Sequence, residues 1–180
     1  MIITISGTPG SGKTTLAKFL SKKLNLELYL VGEMVRDIAE KRNLSIVELD
    51  KAALHNRIID KEIDKIHAKL KGKDNFVIDS RVAFNFFPGS LKIFLYCKPE
   101  IAAARIFKSK RKTEKLPLKK MLQEIKQRNQ LDALRYRRYY HLDIDNLRNY
   151  DIVADTSGMS LRKMCNTALN AIKKCAAINF

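Results

Sequence analysis

Hydrophobic positions along the chain follow two different spacings, and these divide the sequence into predicted strands and helices. Short, nearly continuous apolar runs predict buried strands, and they lie at residues 2–6, 26–30, 76–79, 91–96 and 151–154. Between these runs apolar residues recur three or four positions apart, as at Leu16, Leu20 and Leu24, which predicts amphipathic helices. Strands that alternate with helices are typical of an α/β fold with a parallel sheet.

Residues that favour helix ends support this division. Ser45 and Glu48 form a capping box ahead of an apolar run. Pro99 and Pro117 stand where helices would begin, because proline suits the first turn of a helix. Ser160 is a candidate cap for a final helix. The sequence therefore predicts a long basic helix after Pro117 and a terminal helix after Ser160.

Two helical stretches, at about 32–72 and 109–127, look like insertions into the alternating pattern. Both would cover a site at the carboxyl edge of the sheet, where α/β folds bind ligands. With 180 residues the chain is most simply one domain. It has no apolar run of membrane-spanning length, and it enters its first strand without a leader. We therefore expect a cytoplasmic protein, and a monomer because no large apolar patch is predicted.

The segment between the first strand and the first helix reads Gly-Thr-Pro-Gly-Ser-Gly-Lys-Thr, residues 7–14. It matches the phosphate-binding pattern G-x-x-x-x-G-K-[ST] in the context that the pattern requires. Its glycines allow backbone N–H groups to turn toward an anion at the start of the helix. Lys13 could reach the outer phosphates, and the Thr14 hydroxyl could bind Mg²⁺. This segment, the phosphate loop, predicts binding of a nucleoside triphosphate.

Arginines follow several of the predicted strands, so the sheet would bring them to one edge. Arg36 follows the second strand, and Arg105 follows the fourth. Arg81 lies two residues beyond Asp79, which ends the third strand. Phosphoryl transfer between two nucleotides needs such a convergence, because guanidinium groups offset the repulsion between two polyanions.

A further charged set lies in the predicted basic helix. Arg128, Asp132 and Arg135 are spaced by four and three residues, which places them on one helix face. Asp132 could orient the two arginines there without neutralising both. A lone arginine on a helix is usually solvated, so the functional interpretation rests on the combination with the phosphate loop.

The order of these motifs resembles that of the nucleoside monophosphate kinases, and it is most similar to the archaeal type of cytidylate kinase. The likeness extends over nearly the whole chain and includes Gly32-Glu33, residues 59–64, Arg135-Tyr136 and residues 155–157. It implies a three-layer P-loop NTPase fold whose central parallel sheet has five strands in the order 2-3-1-4-5. It also implies one domain over residues 1–180, with a nucleoside monophosphate-binding flap at about 32–72 and a lid at about 109–127.

The resemblance also implies a reaction: ATP and CMP, or dCMP, would give ADP and CDP, or dCDP, with Mg²⁺. The implied ATP-binding residues are Gly7, Thr8, Pro9, Gly10, Ser11, Gly12, Lys13, Thr14, Thr15, Arg105, Asp155, Thr156 and Ser157. The implied acceptor-binding residues are Gly32, Arg36, Asp79 and Arg81, and the implied catalytic residues are Lys13, Arg128, Asp132 and Arg135. The metal would be held by Thr14 and, through water, by Asp79.

The chain departs from the family pattern after the third strand. It has Asp79-Ser80-Arg81 where the family usually has an acidic residue, glycine and arginine. The Phe84-Asn85-Phe86-Phe87 stretch is also unusual; Asn85 could contact a base edge, and the phenylalanines are expected to pack. These differences leave the acceptor open, with AMP, UMP or a non-nucleotide alcohol as alternatives.

The net charge is +16, from 35 basic and 19 acidic residues, and it keeps a second class of function open. A nucleotide-gated RNA-binding or ribosome-assembly protein is the alternative, because basic and aromatic residues interleave over 135–141. The tyrosines of that run, Tyr136, Tyr139 and Tyr140, recur at helical spacing, which favours helix packing over RNA binding.

The cysteines and histidines are not expected to take part in catalysis or in metal binding. The cysteines, Cys97, Cys165 and Cys175, lack metal-type spacing and are expected to be buried, reduced thiols. The histidines are expected to be solvated at the surface, and they are His55, His67 and His141.

Overall fold

A computed structural model describes residues 1–109 and 116–178, with the side chains of 175–178 excepted. Its centre is a five-stranded sheet in which every pairing is parallel, with strand order β2-β3-β1-β4-β5. The strands are β1 (Ile2–Gly7), β2 (Glu27–Leu30), β3 (Phe76–Asp79), β4 (Leu91–Tyr96) and β5 (Ile152–Asp155). The predicted fold class and strand order are confirmed.

Helices connect these strands on both faces of the sheet. They are α1 (Lys13–Leu24), α2 (Val31–Lys41), α3 (Ile46–His55), α4 (Ile58–Lys69), α5 (Ala83–Phe86), α6 (Pro99–Lys108), α7 (Leu118–Tyr140) and α8 (Leu161–Ile178). The four-residue α5 and a 3₁₀ turn at Leu147–Asn149 are additions to the predicted elements. The four helices with predicted starts begin at or directly after the expected residues: α6 begins at Pro99, and α3, α7 and α8 begin directly after Ser45, Pro117 and Ser160.

The capping box at Ser45 forms as predicted. The Ser45 hydroxyl accepts a hydrogen bond from the Glu48 N–H at 3.2 Å, and the Glu48 carboxylate accepts one from the Ser45 N–H at 2.7 Å. Two of the orphan N–H groups at the start of α3 are thereby satisfied. This matters for the site because α3 carries a buried acidic residue described below.

The hydrophobic core lies on both faces of the sheet, because successive residues of a strand point to opposite sides. On β3, Val77 packs into a cluster with α1 and α8, whereas Phe76 and Ile78 pack into a second cluster with α3 and α4. All three side chains are inaccessible to solvent. Burial on both faces explains why the strands read as continuous apolar runs rather than as alternating ones.

The base of the predicted lid is held by a smaller apolar cluster. Ile106 of α6 packs with Met121 and Ile125 of α7, and Cys97 belongs to the same cluster. Of the predicted lid at 109–127, residues 110–115 lie outside the described residues, and those from Leu118 onward form the first turns of α7.

The cysteines agree with the expectation as far as they are described. Cys97 and Cys165 are buried and free, and the side chain of Cys175 lies outside the described part. Within residues 1–109 and 116–178, no helix has both the length and the hydropathy needed to cross a membrane.

Candidate active site

The phosphate loop joins β1 to α1 in a backbone conformation that requires glycine. Gly7 and Gly10 have φ values of 135° and 70°, a region that side chains rarely tolerate. A Cβ atom at Gly7 would collide with the backbone of Leu95, and one at Gly10 would lie 2.7 Å from the Cβ of Ala102. The loop is therefore packed directly on β4 and α6, with no room for a side chain at Gly7 or Gly10.

The two reactive side chains of the loop are held in place by short hydrogen bonds. Lys13 Nζ donates to the carbonyl oxygens of Gly7 at 2.8 Å and Thr8 at 2.7 Å, so the ammonium group folds back over the loop. The Thr14 hydroxyl donates to Asp79 Oδ2 at 2.7 Å. A hydroxyl and a carboxylate therefore meet where β3 ends beside the loop.

A cavity of about 220 Å³ opens at this edge of the sheet. The predicted site residues that line it are Pro9, Gly10, Gly12, Lys13, Thr14, Thr15, Gly32, Arg36, Asp79, Arg81, Arg105, Arg128, Asp132 and Arg135. Helices α1, α2, α6 and α7 all contribute to this set, together with β3 and the turn that follows it. The structure thus brings together residues that lie up to 126 positions apart, counted from Pro9 to Arg135.

Other predicted ATP-binding residues lie behind this lining. Gly7 and Thr8 border a separate small cavity. Ser11 and Thr156 are buried, and the Thr156 hydroxyl lies 2.9 Å from the Ser11 carbonyl oxygen. The Asp155 carboxylate accepts a hydrogen bond from the Ser157 N–H at 2.8 Å. Through its contact with Ser11, Thr156 supports the phosphate loop on the side that faces away from the cavity.

Arg105 connects α6 to the segment after β5. Its guanidinium group donates to the carbonyl oxygens of Thr156 at 2.6 Å and Met159 at 3.0 Å, and to the Thr156 hydroxyl at 3.1 Å. Arg105 also lines the cavity. Arg105 and the loop after Asp155 therefore lie against each other, and their contact with the ATP base stays a prediction.

The arginines on the other side of the cavity are paired with buried carboxylates. Arg135 lies 3.1 Å from both Asp50 and Asp132, and 3.7 Å from Asp60. Arg128 Nε lies 3.5 Å from Asp50. Asp132 also contacts Arg81. We name these six residues the arginine–aspartate cluster: Asp50, Asp60, Arg81, Arg128, Asp132 and Arg135.

This cluster differs from the predicted arrangement, in which Asp132 would orient Arg128 and Arg135. Asp132 instead pairs with Arg135 and Arg81, and Asp50 from α3 pairs with Arg128. Asp50, Asp60, Asp132 and Arg135 are each at most 3% exposed. Opposite charges at such depth stabilise one another only as a set, because removal of one partner leaves an uncompensated buried charge.

The proton affinities in the cluster follow from burial and from these neighbours. Burial would lower the pKa of Arg135, but Tyr136, Asp50 and Asp60 together raise it above its ordinary value. Burial and the nearby Arg128 lower the pKa of Arg81 to about 10, so this arginine stays protonated at neutral pH. Burial raises the pKa of Asp60, and Arg135 opposes that shift.

Asp50 and Asp60 were not predicted as site residues, although each stands on the apolar face of its helix. Asp50 lies four residues after Ile46 and next to Leu49, on the apolar face of α3. Asp60 lies on the buried face of α4 with Ile63. A charged residue within the apolar stripe of an amphipathic helix predicts a buried ionic partner, because an unpaired buried charge is too costly.

The expectation for His67 was wrong. This histidine is 0% exposed, and its Nε2 atom lies 3.1 Å from the Ser80 hydroxyl. It lies four residues after Ile63, on the buried face of α4. That spacing was visible in the sequence, and the polar ring found a buried partner. His55 and His141 are exposed, as expected.

The tyrosines of the 135–141 run pack against neighbouring helices. Tyr136 is buried, and the Tyr139 hydroxyl donates to the carbonyl oxygen of Leu54 at 2.7 Å. The Tyr140 hydroxyl donates to Asp64 at 2.6 Å. This agrees with helix packing, the second of the two interpretations of the run. Asn85, the candidate base reader, is exposed, and the cavity is lined by other residues of the described chain.

Comparisons with known proteins bear on sequence and fold separately. A family model described as an AAA domain matches residues 3–132. A cytidylate kinase from Methanothrix thermoacetophila is 36% identical over 173 residues, covering 96% of this chain and 98% of the relative. One from Methanocaldococcus jannaschii is 33% identical over 177 residues, with coverages of 96% and 97%.

Solved structures with low sequence identity share the fold. Shikimate kinase from Bacteroides thetaiotaomicron has a TM-score of 0.65 at 14% identity, covering 98% of each chain. Deoxyadenosine kinase from M. mycoides with bound dCTP has a TM-score of 0.57 at 18% identity, covering 97% of this chain and 100% of that one. At these low identities the likeness concerns the fold alone.

Proposed function

The chain belongs to the cytidylate kinase family, and from that premise we propose that it transfers the γ-phosphoryl group of ATP to CMP or dCMP. The products are ADP and CDP or dCDP. The observation that carries the proposal is the cavity that the phosphate loop shares with Arg81, Arg128 and Arg135. A site with cationic groups on both sides of one space is suited to two phosphorylated substrates.

The ATP side of the site is the phosphate loop. Its backbone N–H groups and the N-terminus of α1 would hold the β- and γ-phosphates. Lys13 would exchange its present carbonyl partners, Gly7 and Thr8, for phosphate oxygens. Arg105, fixed by its bonds to Thr156 and Met159, would lie toward the ATP base.

The donor set beside the loop fits Mg²⁺. Hard oxygen ligands suit this ion, and it usually takes few of them from protein because phosphates and water fill the remaining positions. Thr14 would bind it directly, and Asp79 would act through water. When bound with ATP, Mg²⁺ would offset the charge of the β- and γ-phosphates.

The acceptor side is built from arginines that already have partners. Arg36 and Arg81, with Gly32 nearby, would hold the acceptor's monophosphate, which would replace Asp132 as the partner of Arg81. An oxygen of that monophosphate forms the new bond to the γ-phosphorus as the bond to the β,γ-bridging oxygen breaks. No strong general base is needed, because a monophosphate oxygen is already ionised at neutral pH.

Arg128 and Arg135 would stabilise the charge on the transferring group. Catalysis would then consist of alignment and charge stabilisation, with closure over the substrates excluding water. Asp132 and Asp50 keep these guanidinium groups oriented along the cavity wall. We further propose a single domain over residues 1–180, a cytoplasmic location and a monomeric state, each of which follows from the sequence expectations above.

The test is ADP formation from Mg-ATP by the purified protein with one acceptor at a time. The acceptors are CMP, dCMP, UMP, AMP, GMP and dTMP, with shikimate as an alcohol control and a reaction without acceptor. We expect CMP or dCMP to be favoured by about tenfold or more in kcat/KM. The absence of acceptor-dependent ADP in every reaction would reject the proposal and return attention to RNA binding, measured as a function of salt.

A further inference from the structure

The turn after β3 carries both sides of the proposed chemistry on three consecutive residues. Asp79 accepts the hydrogen bond of Thr14 in the phosphate loop. Arg81 lines the cavity and contacts Asp132. Because only Ser80 separates them, the conformation of Ser80 determines where Arg81 lies relative to the phosphate loop.

One side of this turn is fixed to β1. The Ser80 N–H donates to the Ile5 carbonyl oxygen at 3.1 Å. The Ser6 hydroxyl lies 3.1 Å from the carbonyl oxygen of Ser80 and 3.2 Å from that of Arg81, so it bridges the last two residues of the turn. These bonds fix backbone atoms of the turn and do not involve the Ser80 hydroxyl.

The Ser80 side chain turns away from β1 and toward α4. Its hydroxyl lies 3.1 Å from Nε2 of His67, and the two residues are 5% and 0% exposed. The imidazole ring stacks on Phe86 with centroids 4.4 Å apart and meets the edge of Phe87 at 6.2 Å. The ring is therefore fixed by packing, and it presents one nitrogen to the turn.

The chemistry of the pair suits a fixed contact. A neutral imidazole has one donor and one acceptor nitrogen, and a hydroxyl can complement either. Burial lowers the pKa of His67 to about 4, so the ring is neutral over the physiological range. A buried hydrogen bond of this kind has no competing water, and loss of either partner leaves the other unsatisfied.

We propose that His67 and Ser80 form a positioning pair that holds Arg81 in place for the acceptor's phosphate. The inference rests on the proposed function, since it assigns the pair to the acceptor half of that site. Neither residue is assigned a chemical role: the pair acts through the turn that contains Arg81. It connects α4, in the predicted flap, to the phosphate loop through Asp79.

Three substitutions separate the hydrogen bond from the packing of the ring. His67→Phe keeps an aromatic ring against Phe86 but removes the bond, and Ser80→Ala removes it from the other side. His67→Gln keeps a polar nitrogen near the Nε2 position but loses the ring. Ser90→Ala is the matched control, because Ser90 makes a buried hydroxyl contact of 3.1 Å with Thr4 away from the turn.

The measurements are KM for CMP, KM for ATP, kcat and the thermal midpoint of unfolding for each protein. We expect His67→Phe and Ser80→Ala to raise KM for CMP about fivefold or more, with KM for ATP within about twofold of wild type. His67→Gln should recover most of that loss. The double variant His67→Phe, Ser80→Ala should be no worse than either single variant, because both remove the same bond. Ser90→Ala should lower the thermal midpoint without changing KM for CMP.

Two results would overturn the inference, and they differ from failure of the proposed function. The first is a lower thermal midpoint with an unchanged KM for CMP in both single variants, which would make the pair part of the core only. The second is an equal rise in both KM values. A wild-type protein without CMP-dependent turnover would instead reject the proposed function, and the role of the pair with it.

Discussion

The phosphate loop and the arginine–aspartate cluster present positive charge to the same cavity by different means. The loop uses backbone N–H groups and a lysine, within eight consecutive residues, on a backbone held by glycines and by direct packing on β4. The cluster uses guanidinium groups from the β3 turn and α7, each opposed by a buried carboxylate. One half offers dipoles that exist without a counterion, and the other offers charges that are already compensated.

The difference predicts different responses to substitution. A backbone dipole cannot be removed by changing a side chain, so replacing Lys13, whose backbone is not constrained as the loop glycines are, should leave folding intact and reduce mainly activity. The cluster holds buried charge, so changes there should affect folding as well as activity. Four predictions test this contrast, from the largest expected effect to the smallest.

Loss of Asp50 should destabilise the fold most. Asp50→Ala leaves Arg135 and Arg128 without a shared buried carboxylate, and we expect the free energy of unfolding to fall by about 3–5 kcal/mol. Urea unfolding followed by circular dichroism measures this change. Asp37→Ala, at an exposed position of α2, is the control and should shift stability by less than about 0.5 kcal/mol. A loss below about 1 kcal/mol for Asp50→Ala would mean that the cluster is not stabilised as a set.

Loss of Lys13 should leave folding intact and reduce catalysis. We expect Lys13→Ala and Arg128→Ala each to lower kcat/KM. The loss of transition-state stabilisation should be about 3 kcal/mol or more in each case, by analogy with the loss of one oxyanion donor. Steady-state ADP formation measures it. Only Arg128→Ala should also disturb unfolding, because it unbalances Asp50. Wild-type kinetics from a folded Arg128→Ala protein would refute the assignment of this arginine.

His67, which is buried on the acceptor side of the site, should make the free energy of unfolding depend on pH. Its pKa in the folded protein is about 4, below its ordinary value of 6.5, so the unfolded chain binds the proton first. The stabilising contribution is complete above pH 6.5 and declines as the pH falls toward 4, by up to about 3 kcal/mol. The difference in unfolding free energy between wild type and His67→Phe, measured across pH 4–7, isolates the contribution of His67, because all other groups titrate in both proteins. Parallel curves would show that His67 is protonated without cost.

Loss of the Thr156 hydroxyl should have the smallest effect, on the ATP side. Thr156→Val keeps the shape of the residue but removes the contact with the Ser11 carbonyl and the bond from Arg105. We expect a loss of about 1–2 kcal/mol in unfolding free energy and a rise in KM for ATP, with KM for CMP unchanged. A change confined to KM for CMP would mean that the two halves of the site are not separable in this way.

The same contrast explains what the sequence could predict. The phosphate loop is contiguous, and glycine, lysine and threonine each stand at a position that its conformation or chemistry requires. The strands were found because burial on both faces leaves continuous apolar runs, as at Phe76–Asp79. Arg128, Asp132 and Arg135 share one face of α7 because helical spacing alone determines this, and that face lines the cavity.

The ion pairs of the cluster could not be predicted in the same way. Whether Arg128 meets Asp132, on its own helix, or Asp50, 78 positions away, depends on how α3 packs against α7. Helical periodicity gives the face of a residue but not its partner on another element. The short α5 was missed because four residues are too few to show a period.

The pairing of Arg81 with Asp132 has a consequence for turnover. A carboxylate attached to the protein is a competitor that is never diluted, so any anion must displace it to reach the arginine. We expect chloride to displace it poorly, because such an ion would contact only the guanidinium group, whereas a nucleotide would also contact the site through its sugar and base. We expect the same carboxylate to return to Arg81 as the diphosphate product leaves, which would limit product inhibition. Asp132 would then act as a built-in exchange ligand, suited to rapid release as well as to selective capture.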